Sequence, residues 1–321
     1  MPDFPIWPQC NIGCVFCSNP VDGYRETTDK YSYDELRRKL LDYKRGLRTF
    51  VKFDEVRDYF NLTGGEPTLH PEFLKVLALI RTEFPSNLIR LLTNGRMLAD
   101  EGFARRTCGI AGLPFEIAVP MFGGTPAAHE ATSRSPGSFE QTTRGLRHLR
   151  RHRRDGQKVE IRIIMTRVQE KFLDGLIDHL LAEFSWVDRV VFLFEELEGF
   201  AEKYRDRLVF TQSEAARAID RNFDKLAGFK DVRLYHFALC AVPTRLWPRV
   251  WRTLADFKVT WLDGCRTSCL YRAQCVGVHR SYLRHAGAPD IAPIAAPRPV
   301  ELSGDPYRPI LSADAETSAR R

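Results

Sequence analysis

No stretch of this 321-residue chain is apolar for long enough to span a bilayer, which excludes a helical membrane protein. The opening residues, Met1-Pro2-Asp3-Phe4-Pro5, have no basic segment followed by an apolar core. A secretory leader is therefore not expected, and a cytoplasmic location is. There is no internal repeat, and no RNA-binding signature accompanies the basic residues. Acidic residues are outnumbered, 41 Asp and Glu against 48 Lys and Arg, which leaves a formal net charge of +7. That balance suits an acidic partner: a nucleic acid, a phosphorylated metabolite or an acidic peptide. Without a recognition motif for it, a nucleic acid is not expected.

What is present is unevenly placed. Much of the positive charge lies in 144–158, which reads as a helix with Leu146 and Leu149 turned inward and a basic outer face, solvated or docking a peptide leader. Three of the eight cysteines fall within the first 17 residues and four between 240 and 275; Cys108 stands alone. Clustered thiols in a chain expected in the cytoplasm point to metal rather than disulfides.

Short apolar runs alternate with helical patterns. Strands are predicted at 4–7, 59–62, 89–93, 115–119, 159–165 and 189–193, and helices at 33–43, 71–83, 138–152 and 170–182. A repeated strand–helix order implies a parallel sheet with right-handed crossovers. Six units are too few to close an eight-fold barrel. The expected fold is therefore α/β, a partial (β/α)6 barrel of the TIM type over 1–222, ended by a helix at 212–226. A small cysteine-rich segment is expected over 223–284, and an Ala- and Pro-rich disordered tail over 285–321.

Cys10-Asn11-Ile12-Gly13-Cys14-Val15-Phe16-Cys17 follows directly on the first strand. Three thiolates this close can converge on one centre. Structural zinc wants four ligands, and no fourth Cys or His lies nearby. Three cysteines on a cubane cluster leave one iron open. The spacing, with an aromatic before the last cysteine, resembles the signature of the radical S-adenosylmethionine enzymes. That resemblance implies a 4Fe–4S cluster on Cys10, Cys14 and Cys17. Its open iron would be chelated by the amino and carboxylate groups of S-adenosylmethionine, which is cleaved to a 5′-deoxyadenosyl radical.

Thr63-Gly64-Gly65-Glu66-Pro67 stands immediately after the second predicted strand. A Gly-Gly pair there lets the backbone approach a ligand that a Cβ would exclude. The resemblance puts a Gly-Gly-Glu motif at this point, so Gly64, Gly65, Glu66 and Pro67 are expected to line the cofactor, with Glu66 receiving the methionine ammonium. Leu92-Thr93-Asn94-Gly95 closes the third strand, as is common in that family. On the fifth, Glu160 and Arg162 alternate with Ile161 and Ile163. Arg162 is a candidate for the cofactor carboxylate or, equally, for an internal ion pair. Glu195 and Glu196 follow the sixth strand, where substrate or adenosine could be met.

Cys240, Cys265, Cys269 and Cys275 supply enough thiolates for a fully ligated 4Fe–4S cluster or for structural zinc. The resemblance favours a second, auxiliary 4Fe–4S cluster, with a role in electron transfer, substrate ligation or structure. Cys108 reads as a buried, inert thiol in the connection between a third helix and the fourth strand.

From about 117 to 282 the chain further resembles the radical maturases of the His-Xaa-Ser peptide system. The carriers are Pro136-Gly137-Ser138-Phe139-Glu140, Val159-Glu160-Ile161-Arg162, Glu198-Gly199-Phe200-Ala201, Leu239-Cys240, Leu246-Trp247-Pro248 and Cys275-Val276-Gly277. Cys265 and Cys269 have three residues between them where that subgroup is expected to have two. With no room for a peptide-binding domain ahead of Cys10, recognition is expected to fall to the barrel mouth, the basic helix or a separate peptide-recognition protein. The resemblance implies hydrogen abstraction from a ribosomally made peptide, with an electron donor such as a flavodoxin or ferredoxin. The alternatives are a radical epimerase, dehydrogenase or decarboxylase of a sugar or nucleoside, and a non-catalytic iron–sulfur or zinc scaffold, against which the Gly-Gly-Glu loop argues.

Overall fold

The computed structural model describes residues 3–18, 28–47, 59–254 and 258–299. The six predicted strands form, each within two residues of its expected ends: β1 Asp3–Trp7, β2 Tyr59–Gly64, β3 Leu88–Leu92, β4 Phe115–Pro120, β5 Lys158–Met165 and β6 Arg189–Phe194. The sheet then runs two strands further, through β7 Val232–Tyr235 and a two-residue β8 Val250–Trp251. All eight pair in parallel, in the order of the chain. This is an α/β partial barrel. Parallel pairing puts every strand's C-terminal end on one side, where the connecting loops can meet around a site.

Helices cover the outside: α1 Tyr33–Lys44, α2 Phe73–Glu83, α3 Glu101–Ala111, α4 Pro126–Ser133, α5 Ser138–His152, α6 Arg167–Glu170 and α7 Leu173–Phe184. Ser32 caps α1 by accepting the Glu35 N–H, and Asp100 caps α3 by accepting that of Phe103. In α5, Leu146 and Leu149 are buried and the arginines lie outward, as the pattern predicts. The helix expected at 170–182 is two, α6 and α7, and that expected at 212–226 is likewise divided into Gln212–Asp220 and Phe223–Leu226. Cys108 lies inside α3, fully buried, rather than in a connection. No helix among the described residues is long and apolar enough to cross a membrane.

One apolar core joins all of this, from Phe4 and Ile6 of β1 to Trp247, Tyr282, Ile291 and Ile294. The sheet itself crosses the expected boundary at 222, because β7 pairs with β6. The tail expected from residue 285 does not begin there. Residues 285–299 are folded onto the protein: Ile291 and Ile294 are buried, and Asp290 accepts the Tyr282 hydroxyl at 2.5 Å. Residues 300–321 lie outside the described residues.

Charge fills the lower barrel interior. Glu160 meets Arg162 at 2.6 Å and Arg189 at 2.9 Å, Arg189 meets Asp231 at 3.0 Å, and Arg90 meets Glu116 at 2.8 Å. Ile161 and Ile163 face the core, as the alternation on β5 requires. Burial opposes ionisation of Glu160, but the three surrounding arginines hold its pKa down at about 2.

Candidate active site

At the C-terminal ends of the strands lies a cavity of about 850 Å³. Its wall takes alternate residues of successive strands: Asn61 and Thr63, Leu92, Ala118 and Pro120, Arg162 and Ile164, Leu193, and Tyr235. One end is closed by the loop after β1, with Cys10, Cys14, Phe16 and Cys17 facing inward.

That loop is tied to the scaffold by main-chain bonds. Gly13 and Val15 donate to the carbonyls of Ser133 and Thr132 at the end of α4, at 2.9 and 3.2 Å, and Cys17 accepts the Phe200 N–H at 2.8 Å. The Phe16 ring packs edge-on against Phe122, 5.2 Å between centroids. Burial pushes the Cys10 thiol up to about 11, with Glu66 and Cys17 adding repulsion. Cys14 is likewise raised, by burial and by repulsion from Cys17 and Cys10, with Arg134 giving partial relief. Three soft donors have thus been brought together in a place where their thiolates repel one another. A cationic metal centre is the group that such a set fits.

The Gly-Gly pair lines the cavity and also makes way for neighbouring backbone. Gly64 has φ +128°, and a Cβ on it would stand 2.2 Å from the Trp7 carbonyl oxygen; one on Gly65 would stand 2.3 Å from that of Gln9. Their missing side chains let the end of β2 lie against the backbone leading to Cys10. Gly65 donates to Trp7 at 2.8 Å and Glu66 to Gln9 at 2.7 Å. The thiol loop and the Gly-Gly-Glu turn are therefore one hydrogen-bonded unit.

Glu66 is buried at the junction of β2 and β3. Its Oε1 accepts from Thr68 N and Oγ1 and from Thr93 Oγ1 at 3.0, 2.5 and 2.6 Å; Oε2 accepts only the Asn94 N–H, at 2.6 Å. Oε2 keeps acceptor capacity for a further donor, and Glu66 is among the residues that line the cavity. Burial raises the Glu66 pKa, against the pull of these donors. Asn94 also donates from Nδ2 to Asn11 Oδ1 at 2.7 Å and approaches Cys10 Sγ at 3.8 Å, while Arg96 reaches the Asn11 carbonyl. Pro67 starts a 3-10 turn and is not on the cavity wall. Arg162 is on the wall while its Nε is engaged with Glu160, so the internal ion pair is formed by a residue that also lines the cavity.

At the end of β6 the alternation separates two neighbours. Glu196 lines the cavity; Glu195 does not, and is buried with neither carboxylate oxygen hydrogen-bonded, which raises its pKa to about 8. Around Glu196 stand residues the sequence reading did not single out for a site: Glu198, His236, Lys258 and His279. Lys258 Nζ lies 2.5 Å from Glu196 and 3.4 Å from Glu198. These residues come from four separate segments of the chain with no spacing motif. Only the adjacency of Glu198 to the expected Glu196 gave a signal.

The four later cysteines also come together. Cys240, Cys265, Cys269 and Cys275 line one small cavity whose remaining wall includes Leu239, Trp261, Tyr271, Ile291 and Ile294. Burial pushes Cys240 up to about 12, with repulsion from Cys275, Cys265 and Cys269 added. Cys275 Sγ accepts the N–H groups of Leu239 and Gly277, each at 3.4 Å. All eight cysteines are free of disulfides.

Three thiols and a Gly-Gly-Glu turn thus stand together at the open end of a parallel partial barrel. Residues 4–171, just over half the chain, match the family model of the radical SAM superfamily. The chain belongs to that superfamily, whose cofactors are a 4Fe–4S cluster and S-adenosylmethionine. Among curated proteins it is similar to a GTP 3′,8-cyclase of Haemophilus ducreyi, 31% identical over 112 residues (35% of this chain, 31% of that one). It is also similar to one of Xanthomonas axonopodis pv. citri, 30% identical over 138 residues (43% and 38%). The chain thus spans about a third of the length of these relatives. Among solved structures it resembles native anSMEcpe with bound AdoMet and Cp18Cys peptide (TM-score 0.51, 17% identity, 72% of this chain and 63% of that one). It also resembles SuiB of Streptococcus suis bound to S-adenosylmethionine (TM-score 0.52, 14% identity, 73% and 49%). These likenesses are of fold.

Proposed function

We propose that the protein abstracts hydrogen from a ribosomally made peptide, with its cluster on Cys10, Cys14 and Cys17 and with S-adenosylmethionine against Gly64, Gly65, Glu66 and Arg162. The observation that carries this is the bonding of the thiol loop to the Gly-Gly-Glu turn at one end of a single 850 Å³ cavity. When bound, the cluster and S-adenosylmethionine supply a 5′-deoxyadenosyl radical that removes a hydrogen atom from the substrate. The protein's own residues do the rest. Asn94 and Arg96 hold the thiol loop, Glu66 Oε2 offers a lone pair to the methionine ammonium, and Arg162 offers N–H donors to its carboxylate. The four later cysteines hold a second, auxiliary cluster on this reading. Their apolar wall keeps it apart from water.

Two observations support a peptide. The fold is like that of proteins solved with bound peptides, and the cavity has room for more than a cofactor. The second reading, a nucleoside or sugar substrate, is favoured by the GTP 3′,8-cyclase relatives. The test is anaerobic reconstitution with S-adenosylmethionine and dithionite, offering in turn the peptide product of a neighbouring short open reading frame and GTP. A peptide mass change of whole hydrogens with matching 5′-deoxyadenosine is expected; turnover of GTP alone would replace the first reading with the second.

A further inference from the structure

We propose that Glu196, Glu198 and His279 form a subsite that holds a hydroxyl group of the substrate. This deepens the reading above and rests on it, because the subsite lies on the same cavity wall as Cys10, Cys14 and Cys17.

The argument starts from the tautomer of His279. This residue caps the helix Arg280–Ala286, and its Nδ1 accepts the Ser281 backbone N–H at 3.1 Å. The Ser281 hydroxyl lies 2.7 Å from the same nitrogen and, with Nδ1 already an acceptor of the Ser281 N–H, donates to it, while its oxygen accepts the Leu197 N–H at 3.0 Å. A nitrogen that accepts in this way carries no proton. The proton of the neutral ring is therefore on Nε2. Burial lowers the His279 pKa and keeps the ring neutral.

Among the described residues Nε2–H has no hydrogen-bond partner, although His279 is only 1% exposed. It faces Glu196 Oε2 at 3.7 Å and Glu198 Oε1 at 3.8 Å, both beyond hydrogen-bonding reach. A buried donor in that condition is costly unless something fills the gap.

The three residues have the makeup of a metal site, and among the described residues they are the one group whose ligand atoms lie within 4.8 Å of one another. The tautomer rules that out. A metal would need the Nε2 lone pair and hence a proton on Nδ1, directly against the Ser281 N–H. Lys258 also already holds the cation position between the two carboxylates. An anion would face both glutamates, and an ammonium would face Nε2–H and Lys258. A carbonyl could accept from Nε2–H but would return nothing to the glutamates. A hydroxyl accepts from Nε2–H and donates to a carboxylate, and so satisfies both sides.

The hydroxyl could come from a threonine or serine side chain or from a sugar. The experiment uses the full chain with its clusters and S-adenosylmethionine, and ligand-observed NMR titration. N-acetyl-threonine amide is compared with its isostere N-acetyl-valine amide, and methyl ribofuranoside with methyl 2-deoxyribofuranoside. The threonine probe is expected to bind about tenfold or more tightly than valine, a difference that shrinks to about threefold or less in His279→Gln and Glu198→Gln. Glu198 lies at the rim, so its variant serves if His279→Gln fails to fold. Histidine ¹⁵N shifts of the wild-type chain should show a protonated Nε2 and a bare Nδ1. Equal or absent binding of threonine and valine probes with no sugar preference, a proton on Nδ1, or a Mn²⁺ or Zn²⁺ site lost in Glu198→Gln overturns the subsite. Preference for the ribofuranoside over both its deoxy form and the threonine probe keeps the subsite and overturns the peptide. The same samples are assayed for 5′-deoxyadenosine. Its formation without discrimination between probes sinks the subsite alone; discrimination without its formation sinks the radical reading alone.

Discussion

The two thiol sites differ in how many donors they offer and in what those donors face. Cys10, Cys14 and Cys17 lie along the wall of a large cavity that also holds Arg162, Glu196, Lys258 and His279. Cys240, Cys265, Cys269 and Cys275 close around a small space walled by Leu239, Trp261, Tyr271, Ile291 and Ile294. A site with an open position on a polar cavity can admit a reactant; a site with four donors in an apolar wall is complete in itself. The same residue chemistry thus serves two ends, and the surroundings decide which.

The comparison can be broken most sharply at the closed site. Cys265→Ala/Cys269→Ala should cut iron from about eight to about four per chain, while the open site stays loaded; thermal unfolding should move to lower temperature as the apolar wall loses its centre. An unchanged iron count would mean that no cluster sits there. Next in size is Gly65→Ala. Its added Cβ falls 2.3 Å from the Gln9 carbonyl oxygen, so the thiol loop must move. We expect about 2–4 kcal/mol lost in denaturant melts of the reconstituted protein and reduced iron at the open site only.

Thiol reactivity sharpens the contrast further. In the metal-free chain, alkylation followed by peptide mapping should label Cys10 ahead of the buried Cys265 and Cys275. The rate should climb with pH until about 11 for Cys10 and about 12 for Cys240, where burial places their titrations. The sign for stability follows. A thiol is neutral when protonated, and folding raises both pKa values above the ordinary 9.0, so the metal-free fold loses stability as pH rises from 9 through that window. The smallest effect belongs to Arg147→Ala on the basic face of α5. Its exposed pairing with Glu183 at 3.2 Å touches neither site, and unfolding should change by less than ~0.5 kcal/mol.

Much of this was legible from the residues. The six strands announced themselves because their short apolar runs, such as Val190–Phe194 of β6, are sharply bounded. α3 was expected without bounds and α4 was missed, for a physical reason. α3 buries Ala104, Thr107, Cys108 and Ala111, and α4 buries His129, Thr132 and Ser133, so neither carries a stripe of large apolar residues. Their caps, Asp100 and the Thr125-Pro126 pair, were the signals available. Both cysteine groups were visible from their spacing. The purpose of the Gly-Gly pair was only half visible: sequence says that something comes close, not that it is the backbone of Trp7 and Gln9. His279 and Lys258 could not be foreseen, since nothing in their local sequence pattern marks either for a site, and only tertiary packing brings them beside Glu196.

The most direct test of the central claim is 5′-deoxyadenosine formation by the anaerobically reconstituted chain with dithionite and S-adenosylmethionine, wild type beside Cys14→Ala. The account predicts product from the wild type, only background from the variant, and iron at the closed site retained in both. Equal product from the two proteins, or none from a fully loaded wild type, would contradict it.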